Sequence, residues 1–158
     1  MAFLESLFAW LETTALARAV GESLSVTAWL SAIHLIGFTL VMGSAVLANL
    51  KLHGALLPQR TTAEVVGPAS RAIVLGLIVS IATGVLLFSG RATTASTNGT
   101  FQLKMLLLVA AVVFHFTMSA RVAKRLEART HVRRLTAILG LSLWISLALT
   151  ACAFILFE

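Results

Sequence analysis

Residues 25–53 read SVTAWLSAIHLIGFTLVMGSAVLANLKLH and decide the fold. The run is long enough to cross a bilayer, and a soluble helix of this composition would have no polar face to present to water. His34 lies about 14 Å into the run at 1.5 Å per residue, below the depth at which its ring could reach lipid headgroups. Because an ionisable side chain at that depth requires a partner, the functional prediction begins with the search for one.

The composition indicates an integral membrane protein. Of 158 residues, 59% are hydrophobic and 11% are charged, and the mean hydropathy is +0.98, outside the range of soluble domains. We therefore predict an all-α fold, a four-helix up-and-down bundle that forms one membrane domain over residues 1–158. The predicted spans cover residues 25–52, 69–90, 103–122 and 135–156.

The first 21 residues carry apolar positions at helical spacing, with charged residues between them. Glu5 and the lack of a basic start argue against a secretory signal. Two interpretations remain open for residues 1–21: an amphipathic helix in the membrane interface, with Trp10 at headgroup depth, or a cap packed on the bundle.

Lysine and arginine predict the orientation. Nine of the twelve flank the first and third connections between spans, which places those connections in the cytoplasm and both termini outside a bacterial inner membrane. The formal charge of +6 does not indicate nucleic-acid binding, because the basic residues lie beside spans. Cys152 is the single cysteine, so no intramolecular disulfide forms.

The histidines predict a haem protein. His34 and His115 lie at related depths on the first and third spans, and haem iron accepts one imidazole nitrogen on each side. Gly37 and Ser119, one turn from these histidines, would leave clearance for a macrocycle, and Ser31, Ser119 or a backbone carbonyl would accept the second imidazole proton. The candidate partners for the haem carboxylates are Arg71, Arg91, Lys104 and Arg121. The other reading is that each histidine only forms a hydrogen bond between helices.

A second pair of histidines follows each of the first two. His53 comes 19 residues after His34, and His131 comes 16 after His115, so a second haem stacked toward the cytoplasm is one interpretation. The helical wheel argues against it, because each member of the pair is rotated well away from its predecessor. Interfacial histidines among basic residues are the alternative.

A face of small residues on the second span has two interpretations. Gly76, Ser80 and Gly84 recur at four-residue spacing, which favours close packing between helices or the approach of a flat ligand.

Several short motifs carry a family resemblance. The motifs are His34 to Gly37, Gly43-Ser44, Thr83-Gly84 with Phe88, Asn98 with Phe101 and Lys104, and Phe114-His115. With them the sequence resembles a group of small bacterial four-helix membrane proteins that is similar in outline to the copper-resistance D proteins and to the cytochrome b561 type. Similarity to cytochrome b561 implies b-type haems that pass electrons across the membrane, and similarity to the copper-resistance proteins implies metal uptake.

The expected function is that of a b-type cytochrome of the inner membrane, with His34 and His115 as axial ligands. We expect electron transfer with a membrane quinone or a periplasmic redox protein, or quinone- or superoxide-linked oxidoreduction, and the chain is compatible with a homo-oligomer. A copper or small-solute transporter and a cofactor-free subunit of a respiratory complex are the alternatives.

Overall fold

A computed structural model describes residues 2–124 and 130–156. The helical pattern of the third span continues in the sequence as a charged stretch to Arg129, and the part of that stretch from Arg125 onward lies outside the described residues. The elements in chain order are α1 (Ala2–Glu12), α2 (Ala15–Glu22), α3 (Leu24–His53), α4 (Thr62–Ser89), α5 (Ala92–Thr97), α6 (Gly99–Phe114), a π-helical segment (His115–Ser119, the π segment), α7 (Ala120–Lys124) and α8 (Thr130–Leu156).

Four helices are long and apolar enough to cross a membrane. They are Leu24–His53, Thr62–Ser89, Gly99–Ala123 and Thr130–Phe154. The prediction of an all-α bundle with four spans in a multi-pass membrane protein is therefore confirmed.

The second span begins earlier than residue 69. Thr61 and Glu64 form a capping box, in which the Thr61 hydroxyl accepts the Glu64 N–H and the Glu64 carboxylate accepts the Thr61 N–H. Pro68 therefore lies inside α4 and does not mark its start. It is tolerated there because it follows the helix start by under two turns and costs one backbone hydrogen bond.

The N-terminal segment caps one end of the bundle as two helices, where a single helix over residues 1–21 was predicted. Helix α1 ends at Glu12. The Thr14 hydroxyl then accepts the Ala17 N–H and caps the start of α2. Phe8 packs on Phe88 with ring centroids 5.6 Å apart, and Glu12 accepts hydrogen bonds from α5. The segment packs on the bundle, as in the second of its two interpretations, and its position in a membrane interface stays a prediction. We call this end of the bundle the cap end and the opposite end, with residues 54–61, the basic end.

The four long helices do not pack evenly along their length. α3 packs against α4 along most of its length and also against α8, whereas α6 packs mainly against α8. α4 meets the third span chiefly through α7, near the basic end. The bundle is consequently closed at the basic end, while most of the side chains in the first third of α3 are exposed or half-buried.

Two apolar clusters fill the closed part of the bundle. The first contains Val41, Ala45, Ile73, Ala111, Trp144 and Leu147, and the second, nearer the basic end, contains Ala48, Leu52, Val66, Ala69, Ala123 and Ala137. Between them the third span changes from α-helix to π-helix at His115, where the Ala120 N–H donates to the His115 carbonyl five residues back. Such one-turn π-helices are frequent at functional sites.

Candidate haem site and the buried histidines

His34 is held in one orientation by α4. Its Nδ1 lies 3.1 Å from Thr83 Oγ1, and the Thr83 hydroxyl in turn donates to the Val79 carbonyl at 2.7 Å. Because the hydroxyl proton is used within α4, Thr83 accepts from the imidazole, and the Nδ1 atom carries the ring proton. The lone pair of His34 therefore lies on Nε2.

Gly84 makes room for the His34 ring. A Cβ atom at residue 84 would lie 3.1 Å from His34 Cε1, so a larger side chain would push the ring away from Thr83. Among the described residues, none forms a hydrogen bond with His34 Nε2, and the ring is only half-buried. A neutral imidazole with its second N–H held by the protein is the form in which histidine binds a metal, so His34 fits an axial ligand of haem iron.

His115 is oriented in the same way, by a hydroxyl side chain of α4 that lies nearer the other end of that helix. Its Nε2 lies 2.9 Å from Ser70 Oγ, and the Ser70 hydroxyl donates to the Val66 carbonyl at 2.8 Å. The imidazole therefore donates from Nε2, and its lone pair lies on Nδ1. Nδ1 is buried with no hydrogen-bond partner in the described part of the chain. Trp144 packs against this ring with centroids 6.5 Å apart.

The structure does not bring His34 and His115 together. Their partners Thr83 and Ser70 are thirteen residues apart on the continuous helix α4, which corresponds to about 20 Å along its axis. Two axial ligands of one iron must lie on opposite sides of a single porphyrin plane. A haem held jointly by these two histidines does not fit this arrangement, because the first and third spans are offset by more than helix tilt can close.

Gly37 packs against α4 and leaves no clearance for a cofactor. A Cβ atom there would lie 2.7 Å from Ser80 Oγ, and one at Gly76 would lie 2.7 Å from the Gly37 carbonyl oxygen. The small residues Gly76 and Ser80 thus serve helix packing, the first of the two interpretations, and only Gly84 of that face lies against a histidine. The predicted role of Gly37 beside a macrocycle is wrong for this reason.

The remaining sequence-predicted residues are dispersed. His53 is the last residue of α3, and His131 lies exposed in the first turn of α8, so the second pair of histidines lies on α3 and α8. Ser119 is buried in the π segment, and its hydroxyl has no hydrogen-bond partner among the described residues. The prediction that Ser31 or Ser119 holds an imidazole proton is also wrong, because α4 supplies both partners.

Of the predicted partners for haem carboxylates, Lys104 shares the cap end with His34. It lies in the second turn of α6, and its ammonium is 5.7 Å from the centre of the Phe154 ring. Arg91 is the N-cap residue of α5 at the same end. Arg71 is exposed beside Ser70, and Arg121 lies in α7, so both are nearer the basic end. Across the described ranges, no three His, Cys, Asp or Glu side chains converge on one point.

The comparison with protein-family models gives one match. Residues 7–157 match the model described as a family of unknown function (DUF6644). The chain belongs to this family. No curated protein and no solved structure matches it.

Proposed function

We propose that this DUF6644 protein is a membrane-embedded b-type haem protein that carries electrons, with His34 as the residue that would hold the haem iron. The observation that supports the proposal is the fixed tautomer of His34. Thr83 holds the Nδ1 proton, and the lone pair on Nε2 has no protein partner among the described residues. Inside a membrane span, where water is absent, even a half-buried imidazole is otherwise expected to satisfy both nitrogens.

The surroundings of His34 support haem in a second way. The part of α3 around His34 is loosely covered by neighbouring helices, so a flat apolar ring system would pack there in place of lipid. Lys104 places a positive charge in the same half of the bundle, where a haem carboxylate would bind it.

The chain's own residues would bind and orient the cofactor. Thr83 keeps the His34 ring in the correct tautomer, Gly84 allows the ring to reach Thr83, and the apolar spans exclude water. Haem, when bound, supplies one-electron redox chemistry. We also propose the bacterial inner membrane as the location, with the basic end in the cytoplasm and both termini outside. A quinone or a periplasmic redox protein is the proposed electron partner.

The test is a visible spectrum of the purified protein, oxidised and then reduced with dithionite, together with the haem content per chain. We expect a sharp α band on reduction, which disappears in His34→Ala and persists in His115→Ala and in the exposed-residue control His131→Ala. Size-exclusion profiles establish that each variant is folded.

Three results would contradict this assignment. A folded, colourless wild-type protein with bound copper would favour a transporter, and one free of metal and haem would favour an assembly subunit. Loss of the α band in both His34→Ala and His115→Ala would restore the shared haem and contradict the offset between the two histidines.

A further inference from the structure

Three buried polar atoms lack a hydrogen-bond partner in the described part of the chain: Asn49 Oδ1, His115 Nδ1 and Ser119 Oγ. All three side chains are at most 2% exposed. An unpaired polar atom in an apolar interior costs about 1–3 kcal/mol, so three of them in one core require an explanation.

Contacts with α4 place Asn49 and Ser119 at the same depth. Gly37 of α3 contacts α4 between Gly76 and Ser80. The two helices are antiparallel, so Asn49, twelve residues after Gly37, lies level with residues 64–68 of α4. His115 contacts Ser70, so Ser119, four residues further on, lies level with residue 66.

Contacts with α8 give the same result independently. A Cβ atom at Gly140 would overlap Asn49 Oδ1, so Asn49 is level with Gly140. His115 packs against Trp144, which lies four residues after Gly140 on α8. Because α8 and the third span run in opposite directions, Ser119, four residues after His115, is also level with Gly140. Asn49 and Ser119 thus lie at one depth, and His115 lies one helical turn from them toward the cap end, so that the three side chains form one polar layer where the two apolar clusters meet.

The hydrogen-bonding roles of the three atoms are complementary to one small molecule. His115 Nδ1 is an acceptor, because Nε2 donates to Ser70. Asn49 Oδ1 is an acceptor, because Nδ2 donates to the Ala45 carbonyl at 2.8 Å. Ser119 is available as a donor, because the hydroxyl forms no hydrogen bond within its own helix.

We propose that a single internal water molecule binds between Asn49, His115 and Ser119. It donates one proton to His115 Nδ1 and one to Asn49 Oδ1, and it accepts the Ser119 hydroxyl, which gives the three hydrogen bonds typical of buried water. A metal ion is the less suitable occupant, because the layer offers one nitrogen and two neutral oxygens and no carboxylate or thiolate. The buried imidazole of His115 is in this way a structural hydrogen-bonding group of the bundle core.

The test is a double-mutant cycle of thermal unfolding with Ser119→Ala, Asn49→Leu and the double variant, in detergent micelles. If water bridges the layer, Ser119→Ala lowers Tm by about 2–4 °C, since about 1 kcal/mol corresponds to that shift in a chain of this size. The two substitutions are then not additive, because either one disrupts the same water. Ser142→Ala is the matched control, since Ser142 is exposed on α8 and donates to the Ile138 carbonyl; its Tm should stay within about 1 °C of wild type.

Opposite outcomes overturn the proposal. If the atoms are truly unpaired, replacing Ser119 by alanine removes a buried cost, and Tm stays the same or rises. Additive effects of the two substitutions also contradict a shared water. Metal analysis that finds one ion per chain in the wild type and none in Ser119→Ala would identify a metal in its place. A water-to-imidazole cross peak at His115 in solid-state NMR, lost in Ser119→Ala, is the direct positive result.

Discussion

Replacing Gly76 by alanine tests the helix crossing that sets the depth of His34. α3 and α4 cross with Gly37 and Gly76 in contact, and this crossing aligns His34 with Thr83 and Gly84. A Cβ atom at residue 76 would lie 2.7 Å from the Gly37 carbonyl oxygen and 2.7 Å from Val41 Cγ2, where ordinary van der Waals contact begins at 3.4 Å. The two helices would have to separate by roughly 0.7 Å to accept one methyl group.

The expected magnitude follows from two opposing effects. Alanine gains up to about 1 kcal/mol over glycine in helix propensity. Overpacking costs about 1–3 kcal/mol, and the upper part of that range applies because one of the atoms in conflict is backbone and cannot rotate away. We therefore expect Gly76→Ala to lose about 1–2 kcal/mol, which lowers Tm by about 2–8 °C.

Gly43→Ala is the matched control. Gly43 lies in the same pair of helices, is exposed, and would have no atom within 4 Å of an added Cβ. Only the propensity gain applies there, so Tm should be unchanged or higher. The assay is thermal unfolding of both variants in the same detergent. A Gly76→Ala protein as stable as Gly43→Ala would refute the close crossing, and with it the alignment of His34 and Thr83.

Two further predictions concern the cofactor and the cap end. Thr83→Val keeps the side-chain shape but leaves the Nδ1 proton of His34 without an acceptor, so we expect a 10- to 100-fold loss of haem affinity in a titration of apoprotein with haem. Thr39→Val, at an exposed threonine of α3, should leave the affinity unchanged, and equal losses in both variants would exclude the proposed role of Thr83. Hydrogen bonds from the Thr93 hydroxyl and backbone N–H lower the pKa of Glu12 below its ordinary 4.5. Its contribution to docking of α1 is thus complete above that value and disappears as the pH falls through the lowered pKa, so Tm should fall more steeply in acid for wild type than for Glu12→Gln, whereas parallel curves would exclude this contribution.

The four spans could be predicted from sequence because the bilayer sets one length and one composition for any helix that crosses it. The early start of α4 also had a sequence signal, since Thr61 and Glu64 stand at capping-box spacing. Pro68 led to the later predicted start at residue 69, because proline is more common at the end of a connection than in the second turn of a helix.

The partners of the histidines could not be predicted in the same way. They depend on the axial offset between neighbouring helices, and the apolar composition of a span carries little information about that offset. Part of the signal was present, because Gly76, Ser80 and Gly84 define the face on which α3 lies, and Thr83 stands beside it. The π segment after His115 has no comparable sequence signal, and it sets the orientation of the residues that follow it.

Helix α4 contacts two histidines through the same arrangement of hydrogen bonds, but the surroundings of the two histidines differ. Ser70 and Thr83 each donate their hydroxyl proton to the carbonyl four residues back, so each must accept the proton of a histidine from another span. In its neutral form, each histidine then presents one lone pair, on the nitrogen that does not face α4. The difference lies in what surrounds that lone pair. His34 is half-buried against α4, and we propose haem as its ligand, whereas His115, Asn49 and Ser119 are fully buried, and we propose a water molecule there. Under these two proposals, the burial of each ring by the surrounding helices, and not the histidine itself, determines the size of the ligand that each ring would bind.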